Sequence, residues 1–123
     1  MKYLCLCYYN TKTYAELTPV QIEAIGPECK PHDAALTASG KKILVGSISD
    51  PTTWKCIRPV DGKPSVSNGS FRQSDEQAGA FFIIEAESLD DAVEIASLHP
   101  SAHLGKFFGG GIEVSLCEHY EPS

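Results

Sequence analysis

His32 and His99 are the side chains in this sequence best placed to move protons. His32 follows Pro31 on an apolar stripe, so a helix restarting at Pro31 puts it in a first turn. The dipole there disfavours imidazolium, which leaves His32 neutral and able to act as a base. Asp33 suits the same helix end as a carboxylate and is a candidate substrate-binding residue. Adjacent helical residues point about a third of a turn apart, so Asp33 is not placed to orient His32. His99 ends a second predicted helix, where unpaired carbonyls favour positive charge and raise the pKa. Two histidines shifted in opposite directions form a base and an acid if they share a cleft. The plainer alternatives are a half-buried histidine bonded to backbone at 32 and a histidine satisfying a helix end at 99.

Arg58, in a predicted hairpin strand, can hold a carboxylate bidentately; an ordinary surface ion pair is its alternative. His99 and His103 have the spacing of paired metal ligands, but Pro100 between them breaks the helix that spacing needs. No metal is therefore expected. Gly109 to Gly111 precedes a strand with no Lys-Ser or Lys-Thr pair after it, so it is not a phosphate loop, and no cofactor is expected. Cys5 and Cys7 share one strand face and read as small core hydrophobes. Five cysteines without a CxxC pair leave one over from any disulfide framework. The opening MKYLCLCYY has no small-residue cleavage site, so the expected location is the reducing cytoplasm.

These groups must be held by a small number of elements. Tyr3 to Tyr9 is apolar at nearly every position, which predicts a strand buried on both faces. Thr18 can cap a helix, with Pro19 in its first turn and Gln21 closing a capping box. Ile22, Ile25, Cys29, His32 and Leu36 make its apolar stripe, and Gly40 ends it. Pro27 and Pro31 interrupt that stripe, each at about 3 kcal/mol, which predicts a kinked or segmented helix. Lys42 to Ser49 and Trp54 to Val60 read as strands. Asp61-Gly62 turns the chain back through Pro64 to Ser67, and Asn68-Gly69 makes a second turn. Ser74 with Gln77 can cap a short helical turn. Ala80 to Ala86 is the strongest strand, Ser88 caps a second helix ending at His99-Pro100, and Ile112 to Cys117 is the last strand.

A chain of 123 residues with 42% hydrophobic and 21% charged residues suits one domain spanning 1–123. Its net charge of −6 argues against a broad nucleic-acid face, and no apolar run reaches membrane-spanning length. The order β-α-β, hairpin, β-α-β predicts a ferredoxin-like α+β sheet with two helices on one face. Two helices cover one face only, yet the first and third main strands are apolar on both. A second copy is the simplest cover, giving a homodimer through the sheet face.

Met1-Lys2-Tyr3-Leu4, the tract Asp61 to Phe71, the run Phe81 to Ala96 and Gly110 to Val114 carry a resemblance to the YCII-related family. Within it, the chain is similar to the subgroup named for a DGPF motif. The resemblance implies a dimeric α+β barrel with an inserted β-hairpin, and it places Arg58 at a basic position of the subgroup. The motif's Asp-Gly-Pro-Phe reads Asn68-Gly69-Ser70-Phe71, and the acidic segment after it reads Gln73 to Glu76 with only the last acid kept. Some relatives pair a histidine in the first helix with an aspartate before the last strand. The matching register puts Cys29 near the first position and His99 at the second, so neither residue type carries over.

Two functions are therefore expected. One is a cytoplasmic acid–base lyase or isomerase acting on a small organic acid, with His32 and His99 moving protons and Arg58 holding the carboxylate. The other is a non-catalytic, ligand-binding or regulatory dimer. Subgroup relatives are often encoded beside alternative sigma factors, which the resemblance links to signalling.

Overall fold

A computed structural model describes all residues, 1–123. Strands β1 (Lys2–Asn10), β2 (Lys42–Ser47), β5 (Glu76–Glu85) and β6 (Gly111–Leu116) form one sheet in the order β2-β5-β1-β6. Every pairing in it is antiparallel. The two apolar strands β1 and β5 take the centre, as their two-faced patterning requires. Strands β3 (Lys55–Val60) and β4 (Lys63–Asn68) form a separate hairpin between β2 and β5. Its turn residues Asp61 and Gly62 both have positive φ, 51° and 76°, the conformation that matches strand twist in a tight hairpin. The expected ferredoxin-like α+β class, with its inserted hairpin, is the architecture observed.

Helix α2 (Pro19–Ala38) starts at the expected capping box. Gln21 N–H donates to Thr18 Oγ1 at 3.2 Å, and Thr18 N–H donates to Gln21 Oε1 at 2.8 Å. The expected segmentation does not occur: the helix runs unbroken through Pro27 and Pro31. Both prolines lie on the exposed side, one turn apart, with Glu23 one turn before. The carbonyls that lose their donors, at Glu23 and Pro27, therefore face water, which satisfies them. It follows that His32 sits well inside a continuous helix and has no N-terminal dipole beside it. Helix α3 (Leu89–Ala96) is capped by Ser88, whose Oγ accepts from Asp91 N–H at 3.1 Å.

Leu36 of α2 and Ala92, Ile95 and Ala96 of α3 join Tyr3, Cys5, Cys7, Phe82 and Ile84 in one core, so both helices cover the same sheet face. Leu36 is the only fully buried residue of α2; Ile25, Cys29 and His32 are half-buried and Ile22 is exposed. Helix α2 thus stands off the sheet along most of its length. On the other face Leu4, Leu6, Phe81 and Ile83 are half-buried and Leu44 is exposed.

Two short helices, α1 (Thr11–Ala15) and α4 (Gly105–Phe108), were not expected. The turn expected at Ser74 and Gln77 does not form. Ser74 Oγ accepts from Glu76 N–H, β5 begins there, and the buried Gln77 amide donates to the Arg72 and Ser74 carbonyls at 2.9 Å each. Those bonds stitch the loop to the strand and leave no residue to continue a helix. Between α4 and β6, a β-carbon at Gly110 would collide with the Tyr8 carbonyl, whereas nothing lies within 4 Å of one at Gly111. Backbone cannot yield as a side-chain tip can. Gly110→Ala is expected to cost about 1–3 kcal/mol in urea unfolding, with Gly111→Ala nearly neutral.

Candidate functional site

The gap left by α2 is a half-open cavity of about 520 Å³. Cys29 and Asp33, one helical turn apart, reach it from α2. Cys7, Tyr8 and Tyr9 come from β1, Gly79 and Ala80 from β5, and Tyr14 from α1. Ile48 and Asp50 follow β2, His99 to Ser101 follow α3, and Phe108 closes the wall from α4.

His99 is the pivot of this site, and its environment differs from the one expected. Helix α3 ends at Ser97, and the N–H groups of Ser97, Leu98 and His99 already satisfy its last carbonyls. The chain then turns, so that His99 caps the 3-10 turn Pro100–Ala102. Its ring lies flat on Phe82, with centroids 4.6 Å apart and planes 4° from parallel. Burial against that ring holds the pKa below the ordinary 6.5; the Asp33 carboxylate opposes the shift and His32 adds to it. The expected upward shift is thus reversed, because desolvation replaces the helix C-terminus as the dominant influence.

The tautomer follows from the same contacts. Ser101 N–H donates to His99 Nδ1 at 3.0 Å, and the Cys7 thiol lies 3.9 Å from the same nitrogen. A neutral ring whose Nδ1 accepts must carry its proton on Nε2. Nε2 has no partner within the chain and is the nitrogen open to a ligand. His99 is therefore a neutral hydrogen-bond donor.

Asp33 is exposed, makes no hydrogen bond or ion pair, and is felt electrostatically by both His99 and Cys29. The Cys29 thiol is pushed up, first by burial and then by the Asp33 and Glu28 charges, so it is a poor thiolate. Asp50 is the reverse case. Its Oδ1 accepts from the Thr52 hydroxyl at 2.7 Å and the Thr52 N–H at 2.9 Å, which hold its carboxyl below the usual range.

His32 and Arg58 do not line this cavity, although the His32 charge reaches His99. The His32 ring stacks on His103 at 4.5 Å, and His103 Nε2 donates to the Ser97 carbonyl at 2.6 Å. Arg58 donates from Nη2 to the Phe71 carbonyl at 2.8 Å and lies over the Phe71 ring at 3.8 Å. The structure therefore brings Asp33 and His99 together and leaves His32 and Arg58 outside. Tyr9, Tyr14, Asp50 and Phe108 were missed in the sequence. Two signals point to them: Asn10 caps α1, and Asp50-Pro51-Thr52 has the side chain and proline of a short helical start.

His99 makes stability depend on pH. An unfolded histidine near 6.5 binds a proton that the folded, buried ring resists, so the unfolded state binds more protons below 6.5. The stability contribution is full above that value and is lost as pH falls through the lowered folded pKa. Urea midpoints should drop over this window, and the drop should be smaller in His99→Gln.

The fold defines a ferredoxin-like α+β class whose one covered face carries a cavity at the helix-sheet junction. The YCII-related domain matches residues 1–112, and the chain belongs to that family. No curated protein matches the chain. Among solved structures it is similar to the 5-chloro-2-hydroxyhydroquinone dehydrochlorinase of Burkholderia phenoliruptrix AC1100, in complex with 2,5-dihydroxybenzoquinone. That likeness covers 98% of this chain and 96% of the other, at 18% identity and a TM-score of 0.51, and it concerns the fold. No helix is long and apolar enough to cross a membrane.

Proposed function

We propose that this protein is an acid–base lyase or isomerase acting on a small molecule, with Asp33 and His99 as its working pair. The observation that carries this reading is the convergence of an unpartnered carboxylate and a neutral imidazole on one cavity. The relatives' histidine-and-aspartate arrangement has its residue types exchanged here. The acid comes from α2, one turn after Cys29, and the imidazole precedes the last strand.

Roles follow from the protonation states. The His99 Nε2–H donates to a carbonyl or hydroxyl oxygen of the substrate and stabilises negative charge as it develops there. The Asp33 carboxylate removes the proton from the adjacent carbon. In an isomerisation the same carboxyl returns that proton to a neighbouring atom. In an elimination the C–H electron pair becomes the new double bond, and the leaving group departs with the pair that bound it. A relative in fold that is named for dehydrochlorination, with a quinone in its complex, supports a small cyclic oxygenated substrate.

The test requires no prior substrate. Small cyclic ketones, quinones and phenols are incubated in deuterium oxide and read by NMR for exchange at carbon. Exchange accelerated by the wild type and lost in Asp33→Asn supports the reading. Ligand binding without exchange, for every compound that reaches His99, favours the non-catalytic alternative.

The apolar second face supports a homodimer, with Leu4, Leu6, Phe81 and Ile83 covered by the same residues of another copy. Light scattering should give twice the chain mass, and Leu6→Lys should give the chain mass. Five free thiols support a reducing, cytoplasmic setting.

A further inference from the structure

The cavity lined by Asp33 and His99 is also lined by Tyr9, Tyr14 and Asp50. Tyr9 and Tyr14 meet edge to face, with centroids 5.7 Å apart and planes at 75°, forming an aromatic corner. Asp50 borders that corner, close enough that its charge, after burial, helps push the Tyr9 phenol up. Asp50 Oδ1 is held by Thr52, while Oδ2 has no partner in the chain. The same three residues also line an adjoining hollow, so the corner is reached from two sides. Of the fourteen residues around this cavity, two are aspartates and none is lysine or arginine.

Aromatic faces beside a fixed carboxylate attract ammonium groups through the ring quadrupole and the full charge. A carboxylic acid entering the same space meets two like charges and no cation. We infer that the Tyr9–Tyr14–Asp50 corner is a binding subsite for an ammonium group, so that the substrate is an amine rather than an organic acid. This rests on the proposed function and deepens it: Asp33 and His99 work at one end of the ligand while the corner holds the other. Arg58, tied to Phe71, takes no part.

The test compares three probes of one shape by NMR titration: 2-phenylethylammonium, neutral 2-phenylethanol and 3-phenylpropionate. The ammonium probe should bind at least about fivefold tighter than the alcohol, with the carboxylate weakest. Asp50→Asn keeps an acceptor for Thr52 and removes only charge; it should cost the ammonium probe about twofold to fivefold and leave the alcohol unchanged. Tyr14→Leu should weaken the ammonium probe alone. Equal binding of all three, tighter binding of the carboxylate, or indifference to Asp50→Asn overturns the subsite. If probes still shift the His99 ring in those cases, the proposed function survives. If none binds, the subsite falls, and exchange on the ketones, quinones and phenols decides the proposed function separately.

Discussion

Asp33→Asn will lower turnover by about a hundredfold to ten-thousandfold, the range a positioned general base contributes, and will leave the fold intact. The variant is unusually clean. Asp33 is exposed and bonds to nothing in the chain, so the amide removes basicity without breaking a contact. Asp33→Glu should restore part of the rate, because the carboxylate returns at a slightly different reach. His99→Leu should cost about a hundredfold to a thousandfold, the loss seen when one donor to a developing oxyanion is removed. Circular dichroism and urea unfolding accompany each rate, since His99→Leu also removes the acceptor for Ser101 N–H. A full rate in Asp33→Asn would remove the base from the scheme.

Phe82→Ala is the second large effect. Phe82 is completely buried at the centre of the sheet and is the largest fully buried side chain in the molecule. Truncating such a residue costs about 3–5 kcal/mol, a large share of what a domain this size possesses. It also removes the surface on which His99 lies, with planes 4° from parallel. Burial is the main cause of the lowered His99 pKa, so the ring should titrate closer to 6.5 in the variant. Phe82→Leu should retain most of the stability while still loosening the ring. Core and site are therefore linked through one contact, which urea melts and histidine titrations measure separately.

Most of the architecture could be read from local signals. The capping residues Thr18 and Ser88, the Asp61-Gly62 turn and the apolar strands around Cys5 and Phe82 each have a short-range cause and formed as expected, except that only one face of those strands is fully buried within the chain. Helix α2 resisted because a proline's cost depends on whether water can reach the carbonyl it strands, which is a tertiary property. His99 resisted for a related reason. The His99-Pro100 pair suggested a helix end, but the chain had already turned at Ser97 and laid the ring on Phe82. Asp33 was readable only as a candidate binding carboxylate, whereas its place on one cavity with His99 needed the sheet to bring positions 33 and 99 together. Tyr9, Tyr14 and Asp50 meet only through α1 and the loop after β2. Neither element has an apolar period long enough to announce itself.

Whether Asp33 and His99 form one site is measured most directly by an NMR titration of the histidine rings. It is made in the wild type and in Asp33→Asn, with ring nitrogens labelled. Burial holds the His99 pKa below 6.5, and the Ser101 N–H at Nδ1 leaves the neutral ring's proton on Nε2. The Asp33 charge opposes the downward shift, so its removal should move the His99 pKa lower still. His99 titrating at or above 6.5, or unmoved by Asp33→Asn, would contradict the pairing.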